Sequence, residues 1–230
     1  MPRPGIDMGM DWSPILLSLK LALVTSLWLL LVSLPILYGL HFSRSRLKPV
    51  FKALLSLPLV LPPTVLGYYL LLAFRPEGMI GQASLNWLGY SLIFSFGGLV
   101  IGSLIFSLPF MISPIISALE QLPHRYTEAA LTLGKSKLDL FFRILLPNVK
   151  GSIIAGMILS FAHTLGEFGV VLMIGGNLPG STRVASIAIY QEVEAMRYPE
   201  ADGYALLLLG LSLVLLILVF GLNRGKTTFP

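Results

Sequence analysis

Two side chains able to handle protons or metals, His163 and Glu167, stand four residues apart inside a strongly apolar stretch. On a helix that spacing places both on one face. Such a pair can ligate a metal, relay a proton, or form a structural hydrogen bond. No third ligand and no two-histidine zinc-protease spacing accompanies it. An acid at membrane depth faces the protein interior or water and needs a partner, so a bond from Glu167 to His163 is the expectation, with a proton relay as the alternative. Gly134-Lys135-Ser136 has the ending of a phosphate-binding loop, but position 129, where that loop needs glycine, is alanine. There is no cysteine, which excludes disulfides and thiolate metal sites. No Ser–His–Asp constellation is recognisable. The chain is expected to be no enzyme by itself, with no cofactor and no metal.

These residues sit in a chain of 230 residues, 55% hydrophobic and only 12% charged. Soluble domains carry about 25% charged residues, so the composition is that of an all-α, polytopic membrane protein in one domain, embedded in lipid. Runs long enough to cross about 30 Å of hydrocarbon predict five spans, near 14–40, 50–74, 92–119, 152–174 and 204–222. The first carries Lys20, which either snorkels to the headgroups or contacts an anionic substrate. The second holds Pro58, Pro62, Pro63, Thr64 and Gly67. Its prolines cannot sit in a regular helix without freeing carbonyls. Broken backbone in lipid must be buried in protein or face a wet cavity, so this kink either lines a translocation path or is a packing kink. The fourth is rich in small residues, including Gly156, Ser160, Gly166 and Gly169, which permit close helix approach.

Between the third and fourth spans, residues 120–150 are polar but patterned. Tyr126, Ala129, Ala130 and Leu133 follow helical spacing, and Gly134 stands where a left-handed cap belongs. Ser136 is positioned as the N-cap of a second helix, with Asp139 three residues on. Leu138, Phe141, Phe142 and Leu145 repeat the apolar spacing, and Pro147 closes the segment. A helix–Gly–helix elbow between membrane spans is predicted.

The elbow resembles the cytoplasmic loop of ABC importer permeases, whose pattern is Glu-Ala-Ala, three residues, Gly, nine residues, then Ile-x-Leu-Pro. Here it reads Glu128-Ala129-Ala130, Gly134 and Ile144-Leu145-Leu146-Pro147, with both spacings kept. The resemblance implies a type I importer permease whose elbow, through Tyr126, Glu128, Ala129, Ala130, Leu133 and Gly134, docks on a separate ATPase subunit. It implies a homodimer with two ATPase subunits and an extracytoplasmic oxyanion-binding protein, in a bacterial or archaeal cytoplasmic membrane. The run Leu57 to Gly67, Leu165-Gly166-Glu167-Phe168-Gly169 and Pro179-Gly180-Ser181-Thr182-Arg183 resemble the molybdate and sulfate branch of that family, on the molybdate side. Pathway or gate residues implied are Pro58, Pro62, Pro63, Thr64, Gly67, His163, Gly166 and Glu167. The alternatives are a sulfate or thiosulfate permease, or an ATP-independent transporter or channel in which His163 and Glu167 couple protons.

Orientation follows from basic residues. Arg44, Arg46, Lys48 and Lys52, five in the elbow (Arg125, Lys135, Lys137, Arg143, Lys150), and Arg224 and Lys226 fall on one side; Arg3, Arg75, Arg183 and Arg197 fall on the other. The elbow and C-terminus are expected in the cytoplasm and the N-terminus outside. The net charge of +5 is then an orientation signal, and no nucleic-acid partner is expected.

Overall fold

Pro14, in the first helical turn where its missing N–H is no loss, opens α1 (Ser13–Phe42), a helix of 30 residues. The computed structural model describes residues 10–223. Serines inside α1 return their hydroxyls to their own helix, Ser26 to the Leu23 carbonyl at 3.0 Å and Ser33 to that of Leu30 at 2.9 Å. That satisfies polar groups where lipid offers none.

The second expected span is two helices, α2 (Lys48–Val60) and α3 (Pro63–Phe74), meeting at 108°. Pro62 and Pro63 supply no N–H, and a proline disfavours helical conformation in the residue before it. Pro62 is accordingly extended, at φ −56° and ψ 133°. After α4 (Met79–Leu88) comes α5 (Phe96–Gln121), whose N-cap Ser95 accepts the Gly98 N–H at 3.1 Å. The elbow comprises α6 (Arg125–Thr132), α7 (Lys137–Asp139), a π-helical turn over Leu140–Leu145, and α8 (Leu146–Asn148). The chain then bends by 75° into α9 (Lys150–Leu165). It continues through α10 (Gly169–Gly175), α11 (Ala185–Glu194) and α12 (Tyr198–Asn223).

Three of these helices, α1, α5 and α12, are individually long and apolar enough to cross a membrane. The number rises to five if each bent pair counts as one span.

The expected helix over 152–174 does not form as one piece: α9 stops at Leu165 and α10 restarts at Gly169. Tertiary contacts capture the break. The Ser186 hydroxyl donates to the Glu167 carbonyl at 2.6 Å. Gly169 lies so close to Pro63 that a Cβ there would stand 2.7 Å from the proline Cβ.

Packing gathers into two main cores. Leu29 and Leu37 of α1 meet Met111, Ile115 and Leu119 of α5 and, from the elbow, Leu140, Phe141 and Leu145. The Phe141 ring lies edge-on to Tyr38, with centroids 5.3 Å apart, so the elbow is riveted to the end of α1. Toward the other end, Leu21, Leu99, Phe74 and Ile187 pack with Val170, Val171 and Ile174 of α10. α12 keeps most of its leucines exposed, as a lipid-facing helix does.

Candidate functional site

The elbow is built from local rules. Gly134 has φ +70°, a conformation costing an L-residue about 1–2 kcal/mol. It sits in a Schellman arrangement: the Lys135 N–H bonds the Ala130 carbonyl and the Gly134 N–H bonds that of Leu131, both at 3.0 Å. Ser136 caps the next turn by accepting the Asp139 N–H at 3.1 Å. Ala130 is buried against the first core, whereas Glu128 and Ala129 are exposed, Tyr126 is partly covered and Leu133 is 76% exposed. The expected second stripe is split. The π-helical turn advances the register, so Phe141 and Leu145 face inward with Leu140 while Leu138 and Phe142 turn out. The outcome is an outward surface of Leu131, Leu133, Leu138 and Phe142 beside Lys135 and Arg143. Arg143 pairs with Asp139 at 3.3 Å, an exposed contact of little energetic weight.

The pathway candidates separate into those brought together and those left apart. Pro63, Gly67 and Gly169 form one close crossing of α3 on α10. A Cβ on Gly67 would stand 2.9 Å from the Met173 Cβ and 3.1 Å from the Val170 Cα. Pro62 and Thr64 are exposed on the bend beside that crossing, and Gly166 is exposed where α9 ends. Pro58 stands apart, a turn before the bend inside α2.

The expected His163–Glu167 hydrogen bond is absent. With α9 ended at Leu165, Glu167 leaves the helical face that the spacing implied. His163 Nδ1 instead meets the Ser107 hydroxyl at 2.9 Å, and its ring stacks on Phe110 with centroids 3.9 Å apart. Ser107 also meets the Thr164 hydroxyl at 2.9 Å. Glu167 is 3% exposed, and neither carboxylate oxygen has a hydrogen-bond partner among the described residues. The Ser103 hydroxyl is likewise buried without a hydrogen-bond partner among the described residues. Ser103 and Ser107 escaped the sequence reading, although their spacing of four on an apolar helix marks one polar stripe. Lys20 is exposed, with its ammonium 4.7 Å from the Phe96 ring centroid.

A second polar cluster ties the turn after α10 to α11. Glu192 takes Arg183 at 3.4 Å and Arg197 at 2.5 Å. Thr182 is fully buried, donating to the Gly175 carbonyl and accepting the Leu178 N–H at 2.9 Å. This cluster braces the loop between α10 and α11, although the Arg183 Nε is buried there without a hydrogen-bond partner among the described residues.

Comparison with known proteins places this geometry. Residues 32–225 match the family described as binding-protein-dependent transport system inner membrane component. The chain is 45% identical to the molybdenum transport system permease protein ModB of Azotobacter vinelandii, over 94% of this chain and 96% of that one. It is 38% identical to ModB of Escherichia coli K12, over 80% of each. Similarity to the sulfate transport system permease protein CysT of Salmonella typhimurium is lower, 34% over 79% of this chain and 64% of that one. Among solved structures, a bacterial ABC transporter importing the acidic polysaccharide alginate superposes with a TM-score of 0.72 at 16% identity, covering 99% of this chain and 86% of that one. A bacterial alginate ABC transporter in complex with alginate pentasaccharide-bound periplasmic protein gives 0.68 at 17% identity, covering 94% and 80%. The likeness extends over the elbow and over the helices on both sides of it, and the chain belongs to the family of binding-protein-dependent inner membrane transport components, the multi-pass, non-catalytic permease subunits of ABC importers.

Proposed function

We propose that this permease carries molybdate across the cytoplasmic membrane, with tungstate sharing the route. The observation that carries the cargo is the 45% identity to a molybdenum permease over nearly the whole of both chains. Two ATPase subunits supply the energy, a second copy of the chain completes the pathway, and an extracytoplasmic binding protein delivers the ion. The outward elbow surface around Glu128, Ala129, Leu133 and Gly134 suits docking on an ATPase. Around Glu128 it exposes the apolar Leu131, Leu133, Leu138 and Phe142 beside the basic Lys135 and Arg143, and it is joined to the α1–α5 core through Phe141. The α3–α10 crossing, with Glu167 beside it, suits a gate, because two broken helices meet there with almost no side chain between them.

A dianion cannot enter hydrocarbon, so the route must be wet and lined by polar backbone or hydroxyls. Lys20 is the one full positive charge well inside an expected span, near its outer end. The permease therefore holds the ion weakly, as passage requires, and selection rests with the binding protein. Eleven basic residues against four support an elbow and C-terminus in the cytoplasm and an N-terminus outside. Reporter fusions at residues 47, 135 and 226 should all read cytoplasmic; a periplasmic reading at 135 would end the docking proposal.

The sulfate reading has its own support in the 34% identity to CysT. Uptake by the reconstituted importer with its own binding protein separates the two. Labelled molybdate should accumulate, tungstate should compete, and sulfate should not. Sulfate carried in preference, with molybdate unable to compete, would overturn the cargo and leave the permease assignment standing.

A further inference from the structure

Where α1 turns into α2, the two helices diverge and leave an open groove of about 450 Å³. That is within the range of specific small-molecule sites, roughly 300–1,000 Å³. Ile36, Gly39 and Leu40 form one wall and Phe51, Leu54 and Leu55 the other. The walls are apolar along their length, with one exception at the mouth, where Ser43 and Lys48 close the groove. The mouth carries charge of one sign. Arg44 and Arg46 are exposed on the connecting turn and make no ion pair among the described residues. Glu120 of α5 is the acid that approaches, 3.5 Å from Lys48 and 2.7 Å from Lys52. One carboxylate against four basic side chains leaves the mouth net positive. Both Glu120 and Lys52 are partly exposed, so that pair screens the mouth only weakly.

An apolar slot ending in a cationic rim at the level of the helix ends is complementary to one kind of molecule: a lipid with an acyl chain and an anionic phosphate. We propose that this groove is a binding site for an anionic phospholipid of the leaflet that faces the elbow. One acyl chain lies between Gly39 and Leu54, and the phosphate lies among Arg44, Arg46 and Lys48. Each basic group near an anionic headgroup adds to the attraction. Gly39 has a specific part in this. A Cβ built there meets no atom within 4 Å, so the absence of a side chain keeps the slot open and is not a packing requirement. Bound there, the lipid would brace the bend by which α2 leaves α1, next to the Tyr38–Phe141 contact that holds the elbow. The site is independent of the cargo; only its assignment to the cytoplasmic leaflet rests on the orientation proposed above.

The test is native mass spectrometry of the full-length chain, extracted in mild detergent with its own subunits and titrated with phosphatidylglycerol or phosphatidylcholine. Phosphatidylglycerol should be retained at least tenfold better than phosphatidylcholine. R44Q/R46Q, which leaves the Glu120 pairs intact, should lower that retention on the order of tenfold. Gly39→Leu should lower it comparably by filling the slot, without a change in melting temperature of the lipid-free protein. Because the chain has no cysteine, a Gly39→Cys variant reports the other occupant cleanly. Cross-linking of Gly39→Cys between two copies in lipid-rich membranes would overturn the proposal in favour of a dimer contact. Equal retention of both lipids, or retention unaffected by either substitution, would overturn it as well.

Discussion

Gly134→Val should reach the membrane at normal abundance and lose transport on the order of tenfold. The Gly134 backbone has φ +70°, where a β-branched residue is strained by about 1–3 kcal/mol. No atom beyond its chain neighbours lies within 4 Å of a Cβ placed there, so the expected effect comes chiefly from the backbone conformation. Relief of the strain means losing the two capping bonds to Ala130 and Leu131, which hold the angle between α6 and α7. The large cores do not include Gly134, so the spans keep their fold while the elbow loses its shape. Gly134→Asn is the control, since asparagine tolerates the left-handed region, and most transport should survive it. The readout is uptake alongside ATP hydrolysis by the assembled importer: in the valine variant hydrolysis should no longer be coupled to transport. Normal uptake at normal abundance would remove the elbow from the mechanism.

Glu167→Leu should stabilise the chain and impair it. Both carboxylate oxygens are buried without a hydrogen-bond partner among the described residues, and polar groups left in that state cost about 1–3 kcal/mol or more. Replacing such a group by an apolar one of similar shape removes that cost. A melting temperature raised by a few degrees is therefore expected. On the proposed gating role, a group retained in that state beside the α3–α10 crossing is used in another conformation of the cycle, where water or a hydroxyl reaches it. Uptake should accordingly fall on the order of tenfold in Glu167→Leu and be largely kept in Glu167→Gln, which preserves shape and hydrogen-bonding capacity. If the leucine variant transports normally, Glu167 has no part in gating. If the glutamine variant alone abolishes uptake with assembly intact, the requirement is for charge.

The elbow was legible because its determinants are local. Gly134 and Ser136 each act within one helical turn, and both stand where spacing put them. The bend of the second span was legible for the same reason, since Pro62 and Pro63 forbid a continuous helix whatever surrounds them. The break at Gly166–Phe168 was not. Residues 152–174 are apolar enough to read as one span, and what divides them is tertiary: Ser186 taking the Glu167 carbonyl and Gly169 seated on Pro63. That break undid the His163–Glu167 pairing, because the inference assumed one helix through both. It also hid the polar stripe of Ser103 and Ser107, which acquires its partner His163 from a different helix. In the elbow, the apolar spacing groups Leu138 and Phe142 with Phe141 and Leu145, whereas a π-helical turn, which has no signature in apolar spacing, leaves the first two exposed and the other two buried.

Energy dependence of uptake decides whether this chain opens its path only when an ATPase partner closes, as proposed. Proteoliposomes holding the permease with its ATPase subunits, and supplied with the oxyanion-binding protein, are loaded internally with ATP or with a non-hydrolysable analogue, each with and without an imposed proton gradient. Labelled molybdate should accumulate with ATP whether or not the gradient is present, and should not accumulate with the analogue under either condition. Accumulation driven by the gradient without ATP hydrolysis would contradict the claim and reinstate a proton-coupled carrier.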